Sequence, residues 1–396
     1  MHFRRLIQTE LEKQLVTREI VVITGMRRTG KTTLMRILFD TIQTKNKVYL
    51  DFQNILDQKL FDEIDFNNIF ANLKSYGIKP EEKVYLFIDE IQFKPEVTGA
   101  VKYLYDHYDV KFFITGSSSF YLKNLFPESL AGRKVTFELF PLYFEEYLTF
   151  KNISSELPND FNEKSKTKNF IDYQKLYKYY DDYLKYGGFP QVVLENDEKQ
   201  KELMLKDIFS SYFQIDVMTL ADLKKIEAFK KLIMLLMERV GSKLDISKLS
   251  SILSVSRDTV YSYLSLLEGT YFIHLINPFT LNRDKEVSGT KKVYLCDNGI
   301  VNQFSQVSRG SLLENSVFLN LKKYGTINYY QKRNGSEIDF IVRNKNRVTS
   351  LEVKSNAVEN DLKKLKRTSE QLGIEEYYLV SRSFTKIENS VCAYQV

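Results

Sequence analysis

Residues Gly25 to Thr32 read GMRRTGKT, the spacing G-x-x-x-x-G-K-T. Glycines at the two ends of such a loop let successive backbone N–H groups turn into one concavity, where an anion is held at the start of a helix. Gly25 and Gly30 would make that turn, Lys31 would reach the β- and γ-phosphates of a nucleoside triphosphate, and Thr32 would place its hydroxyl on Mg²⁺. Arg27, Arg28, Thr29 and Thr33 complete the residues expected around the phosphates. A second run, KVYLFIDE (Lys83 to Glu90), is a buried strand that ends in two acids. Asp89 would bind Mg²⁺ through water, and Glu90 would orient the attacking water. A third run, KFFITGSSS (Lys111 to Ser119), brings Thr115 or Ser117 to the γ-phosphate as a polar sensor. Ligands of open α/β sheets sit at the carboxyl ends of the strands, so three polar strand ends describe one pocket.

A second cluster lies in the last hundred residues. The helix SLLENSVFLNLKKY offers Glu314. A hairpin turning at Asn334-Gly335 leads into EIDFIV with Asp339, and the next strand, VTSLEVKS, carries Glu352 and Lys354. Side chains alternate along a strand, so Glu352 and Lys354 share a face beside Asp339. Asp339 and Glu352 would hold a metal ion and polarise a water for phosphodiester attack, with Lys354 neutralising the developing charge. A helix with Lys363, Lys364, Lys366 and Arg367 follows, then the strand EEYYLVSR, in the order α-β-β-β-α-β.

The elements that position these residues follow from periodicity. An apolar strand precedes the glycine-rich loop, and Leu34, Ile37, Leu38 and Ile42 give the helix after it one apolar face. Up to about Thr149, strands and helices alternate as in a P-loop ATPase. Phe150 to about Lys168 is polar and reads as a mobile loop or an insertion that leaves the core. A tyrosine-rich helix follows and is stopped by Gly187, Gly188 and Pro190. Between Leu244 and Ile276 a short helix, a turn at Ser254 to Ser256 and a longer helix with Val260, Leu264 and Leu267 inward have helix-turn-helix spacing. FIHLINPFT and KKVYLCD would add a hairpin and complete a winged helix. Such a module reads DNA or serves only for packing and dimerisation. In the DNA-reading case Arg257, Thr259, Tyr261 and Ser262 face the groove, and Arg283, Lys285, Lys291 or Lys292 touch phosphates.

Composition sets limits. The chain has 396 residues, 43% of them hydrophobic, enough for two or three cores. Two cysteines, Cys296 and Cys392, speak against a disulfide framework and for a reducing compartment. No run is long enough to cross a bilayer, and the start has no apolar signal core, so the expected location is cytoplasmic with no membrane contact. A net charge of +6 permits nucleic-acid binding.

In order, GMRRTGKT, LFIDEIQ, FITGSSS, SLAGR, PLYFEEY, YGGFPQVV, KVYLCDNG, LLENSVF, EIDFIV and LEVK make the chain resemble bacterial and archaeal AAA-type ATPases with a C-terminal PD-(D/E)XK nuclease-like domain. The resemblance implies an α/β multidomain chain: a P-loop ATPase core (1–149), an insertion and helical lid (150–205), a winged helix (206–295) and a restriction-endonuclease-like α/β domain (296–396). It implies ATP and Mg²⁺ as cofactors, DNA as partner and self-association, with a ring as one arrangement. It places Arg133 of SLAGR near the nucleotide, as a γ-phosphate sensor or as an arginine finger toward a neighbouring subunit. Ile338 stands where the nuclease signature has proline, while Glu314, Asp339, Glu352 and Lys354 match. Two functions follow: an Mg²⁺-dependent ATPase coupled to DNA binding and to metal-dependent cleavage or remodelling of DNA, branched recombination intermediates among its substrates, or an ATP-driven switch whose last domain binds DNA or protein without cutting.

Overall fold

The computed structural model describes residues 3–117, 132–155, 157–218, 225–280, 286, 289–332, 335–345 and 347–396. Ser118, Ser119, residues 129–131 of SLAGR, Arg283, Lys285 and Asn334, all named above, lie outside the described residues. The chain forms two compact units. One takes residues 1–140, 211–221 and 269–271, and the other takes 141–210, 222–268 and 272–396.

In the first unit, strands β1 (Ile20–Thr24), β2 (Lys47–Asp51), β3 (Val84–Asp89), β4 (Val110–Gly116) and β5 (Lys134–Glu138) make a parallel sheet in the order β2-β3-β4-β1-β5. Every residue of β1 and β4 is buried, as the unbroken apolar runs predict for a sheet covered on both faces. Alternation divides them. Ile20, Val22, Leu86, Ile88, Phe112 and Ile114 enter one cluster, whereas Val21, Ile23, Phe87 and Phe113 enter another. The second cluster receives Leu34, Met35 and Leu38 from the helix Lys31–Thr41. Each such side chain stabilises by about 1.5–3 kcal/mol on burial, so the loop between β1 and this helix is anchored at both ends.

In the second unit, β6 (Ile273–Ile276) and β7 (Lys292–Leu295) form an antiparallel hairpin. It follows the helices Ile246–Leu253 and Arg257–Gly269, in which Val260, Leu264 and Leu267 are buried as the spacing predicts. Strands β8 (Thr326–Gln331), β9 (Glu337–Asn344), β10 (Arg347–Lys354), β11 (Glu376–Ser381) and β12 (Ser390–Cys392) make a mixed sheet in the order β12-β11-β10-β9-β8. The YGGFP and CDNG segments prove to be one joint. Asp297 accepts from the Gly188, Gly299 and Ile300 N–H groups at 2.6, 2.8 and 3.2 Å, and a Cβ on Gly188 would collide with the Leu142 carbonyl oxygen.

The segment 150–168 differs from expectation. Residues Phe161–Thr167 are a helix capped by the Asp160 carboxylate, with Phe161 and Lys164 buried. Phe161 stacks on Tyr378, and Lys168 Nζ donates to the Ile387 and Ser390 carbonyl oxygens at 2.6 and 2.9 Å. One aromatic ring and two lysine stems tie a polar stretch to the sheet. Among the described residues no helix is long and apolar enough to cross a membrane.

Candidate functional site

The nucleotide motifs meet at the carboxyl ends of β1, β3 and β4. Gly25 follows β1 at φ 149°, where a Cβ would collide with the Leu139 carbonyl oxygen, and Gly30 caps the helix at φ 97°. Both conformations favour glycine. The loop between them is held from inside. The Thr29 hydroxyl donates to the Met26 carbonyl at 2.8 Å, and Lys31 Nζ donates to the carbonyls of Gly25 and Met26 at 2.9 and 3.1 Å. Burial lowers the pKa of the Lys31 ammonium, while the carboxylates of Glu90, Asp216 and Asp89 oppose that pull. Thr32 is half-buried at the first turn of the helix, and Thr33 and Arg28 are exposed.

At the end of β3, Asp89 accepts from the Tyr49 hydroxyl at 2.6 Å and from the Thr115 hydroxyl. Burial first, then the Asp89 charge, hold the Tyr49 hydroxyl above its ordinary pKa, so it stays a donor. Glu90 has left-handed backbone, φ 56°, an arrangement that costs a non-glycine residue about 1–3 kcal/mol and clusters at working sites. Its N–H donates to Thr115 Oγ1 at 2.9 Å, and its carboxylate accepts from Gln92 Nε2. Gln92 Nε2 also reaches Ser117 Oγ at 3.2 Å. Of the two sensor candidates, Thr115 therefore braces Asp89, and Ser117 is buried between Gln92 and Asp216. A glycine-rich loop with its lysine inside, and an acid braced by two hydroxyls, fit a magnesium triphosphate by charge and by donor type.

Two corrections concern cations. Arg133 precedes β5, and its carbonyl accepts from the Ile20 N–H at 2.8 Å, at the amino end of β1. The five residues of β1, at about 3.3 Å each, put it about 16 Å from the edge that carries the loop. It pairs there with Asp106 at 3.0 Å, so it is not beside the nucleotide of its own chain. Lys292, expected to touch phosphates, is 4% exposed and pairs with Glu337 at 2.9 Å and Glu314 at 3.7 Å. Its neighbour Lys291 faces the other way and lines, with Lys243, Tyr261 and Thr290, a groove of about 800 Å³. Arg257, Tyr261 and Ser262 are exposed and Thr259 half-buried.

The C-terminal cluster assembles as alternation predicts. Strand β9 runs antiparallel to β10 with Phe340 opposite Leu351, which sets Asp339 beside Glu352. The Asp339 N–H donates to Glu352 Oε2 at 3.3 Å, the Val353 N–H to Asp339 Oδ2 at 2.8 Å, and Lys354 Nζ to Glu352 Oε1 at 2.7 Å. Glu314 accepts from the Tyr294 hydroxyl at 2.7 Å. Burial, then the Asp339 charge, raises the pKa of both Glu314 and Glu352, with Lys292 opposing at the first and Lys354 at the second. Burial likewise raises Asp339 against Lys292. Among the described residues, no three His, Cys, Asp or Glu side chains are grouped to hold a metal ion. Asp339 and Glu352 are two carboxylates, a donor set that suits Mg²⁺ when phosphate and water supply the other ligands. Sequence reasoning missed Tyr294 and Glu337, and gave Lys292 a different role. Glu337 could have been found, because it lies two residues from Asp339 on one face of β9. Asp216 was also missed: it pairs with Arg27 at 3.1 Å and accepts from Ser117 Oγ at 2.7 Å.

A parallel sheet that brings a glycine-rich loop, an acidic strand end and a hydroxyl strand end to one edge defines a P-loop nucleoside triphosphatase domain. Residues 17–148 match the AAA domain family, and residues 177–311 and 309–393 match two domains of unknown function (DUF8612 and DUF4143). An uncharacterized protein of Methanocaldococcus jannaschii is 32% identical over 356 residues, 87% of this chain and 76% of that protein. An uncharacterized protein of Haemophilus influenzae is 30% identical over 354 residues, 86% and 84% of the two chains. The chain belongs to the same family as these proteins, and its first domain is an AAA-type P-loop ATPase domain. The solved ORC2 protein of Aeropyrum pernix aligns over 69% of this chain and 87% of its own, at 12% identity and a TM-score of 0.37, too low to relate the two folds.

Proposed function

We propose that the protein is an Mg²⁺-dependent ATPase that couples nucleotide binding and hydrolysis to DNA binding, with a second, nuclease-like site in its C-terminal region. The observation that carries the first part is the meeting of Lys31, Asp89, Glu90 and Ser117 at one sheet edge. Lys31 and the loop N–H groups bind the phosphates, and Thr32 and Asp89 would hold a magnesium ion, whose chemistry there would be charge neutralisation. Glu90 takes the hydrogen bond of the attacking water and orients it toward the terminal phosphate. A helical lid, a winged helix and a restriction-endonuclease-like domain, with the limits 150–205, 206–295 and 296–396, belong to this reading, as does self-association in which Arg133 reaches a neighbouring subunit's site.

For the DNA site, Glu352 and Lys354 open into a cavity of about 610 Å³ that Lys364 and Arg367 also line. Cations set beside paired carboxylates suit a phosphodiester: the cations bind the backbone, and Asp339 and Glu352 would hold a divalent metal. The test is incubation of the full chain with single-stranded, duplex and branched DNA, Mg²⁺ or Mn²⁺, and ATP or ADP. Nicking that disappears in Asp339→Ala and Glu352→Ala is the expected result. Retention on DNA without nicking in every condition would remove the cleavage role and leave an ATP-driven switch with a DNA-recognition domain.

A further inference from the structure

The nucleotide site contains a carboxylate that none of its motifs supplies. Residues Tyr212–Val217 form a π-helical turn that belongs to the same unit as the glycine-rich loop. A π turn inserts a residue into the helical repeat and re-aims the side chains. Tyr212 is fixed by a 2.7 Å hydrogen bond between its hydroxyl and that of Thr270. Asp216, 4% exposed, then meets the site with both oxygens: Oδ2 accepts from Arg27 Nε at 3.1 Å, and Oδ1 accepts from Ser117 Oγ at 2.7 Å. Through Gln92, Ser117 is linked onward to Glu90. One carboxylate is thus bonded to Arg27, one of the loop residues expected around the phosphates, and to Ser117, the hydroxyl expected at the γ-phosphate.

Both groups already donate to Asp216. Ser117 has a single hydroxyl proton, and it is given to Asp216. Arg27 can add a second acceptor only by bringing a phosphate against a buried carboxylate, and like charges at that range are strongly disfavoured. We propose that Asp216 competes with the terminal phosphate of ATP for Arg27 and Ser117, so that the triphosphate expels it and releases the turn Tyr212–Val217. The inference rests on the P-loop being the ATP site. It gives the chain a mechanical reading of its nucleotide: the segment that follows the helix Glu198–Ser211 is held by the site until a γ-phosphate arrives.

Calorimetric titration of the full chain with ATP, ADP and inorganic tripolyphosphate tests it. Asp216→Asn is expected to tighten ATP and tripolyphosphate about tenfold, the gain when a site held nine-tenths in a non-binding arrangement is freed, and to tighten ADP less. Unchanged or weaker ATP binding overturns the competition. Removing the carboxylate leaves Arg27 without its counter-ion and can cost stability, so hydrogen exchange on the unaltered protein is the second measurement. The amides of 212–217 should exchange faster with a non-hydrolysable ATP analogue than with ADP, and equal or slower exchange overturns the proposal. Lys31→Ala separates the two levels. If it binds ATP as the unaltered protein does, the P-loop reading fails; if it loses ATP while Asp216→Asn gains nothing, only the competition fails.

Discussion

Replacing Lys292 by methionine probes how the C-terminal carboxylates are held. The ammonium lies 2.9 Å from Glu337 and 3.7 Å from Glu314, and its side chain is 5% exposed. Burial lowers the Lys292 pKa, but Glu314, Asp339 and Glu337 outweigh it and leave the pKa above the ordinary lysine value. Removing one member of a buried pair costs about 3–5 kcal/mol when the remaining charge cannot be neutralised. Here it can be, because Glu314 and Asp339 already have raised pKa values. Groups raised in the folded state contribute stability below that range and lose it as pH rises through the folded value. Without Lys292 the carboxyl groups titrate higher still, and each unit of displacement is worth about 1.4 kcal/mol. At pH 5.5, below the value of about 7 to which burial and then the Asp339 charge raise Glu314, the loss should be the smaller one, about 1–2 kcal/mol for a hydrogen bond and some packing. At pH 8.5 the loss should approach about 3–5 kcal/mol. Thermal melts of both proteins at the two pH values measure the difference. An equal loss at both would show that Lys292 packs rather than neutralises, and would refute the electrostatic account of the cluster.

Gly25→Ala should abolish ATP binding and lower stability by about 1–3 kcal/mol, because the new methyl group meets a backbone carbonyl that cannot give way; ATP titration and a melt check both, and unchanged ATP binding would contradict the loop geometry. Lys164 offers a pH test of the second unit. Burial, then Lys323, pulls its pKa down to about 7, so between about pH 7 and 10 the unfolded chain binds more protons and stability should rise with pH. Lys164→Met should flatten that rise, and an unchanged melting-temperature profile from pH 7 to 10 would count against it.

The nucleotide site was legible because its chemistry is local: strand, loop and helix are contiguous, and the two other strand ends carry their own acids and hydroxyls. The C-terminal cluster was legible because alternation with period two fixes faces without further information. Lys292 shows where that ends. Two adjacent lysines must face opposite sides, but which one points inward depends on the hairpin's packing against Glu314 and Glu337. Arg133 was misplaced within its own chain because motif order does not give strand polarity, and a residue at the start of a strand parallel to β1 lies on the edge away from the loop. Asp216 had no signal, being 189 residues from Arg27 in a turn whose π geometry has no marked spacing. The segment 150–168 has a loop's composition, and Phe161 with two lysine stems outweighs it.

The central claim is that Lys31, Asp89 and Glu90 form an ATP site, and paired ATP binding and turnover in Lys31→Ala and Glu90→Gln test it most directly. Lys31→Ala should lose most ATP binding. Glu90→Gln keeps the shape and loses the carboxylate that orients water, so it should bind ATP while turnover falls by about 10²-fold or more. Turnover by Glu90→Gln at the unaltered rate, or full ATP binding by Lys31→Ala, would contradict the assignment.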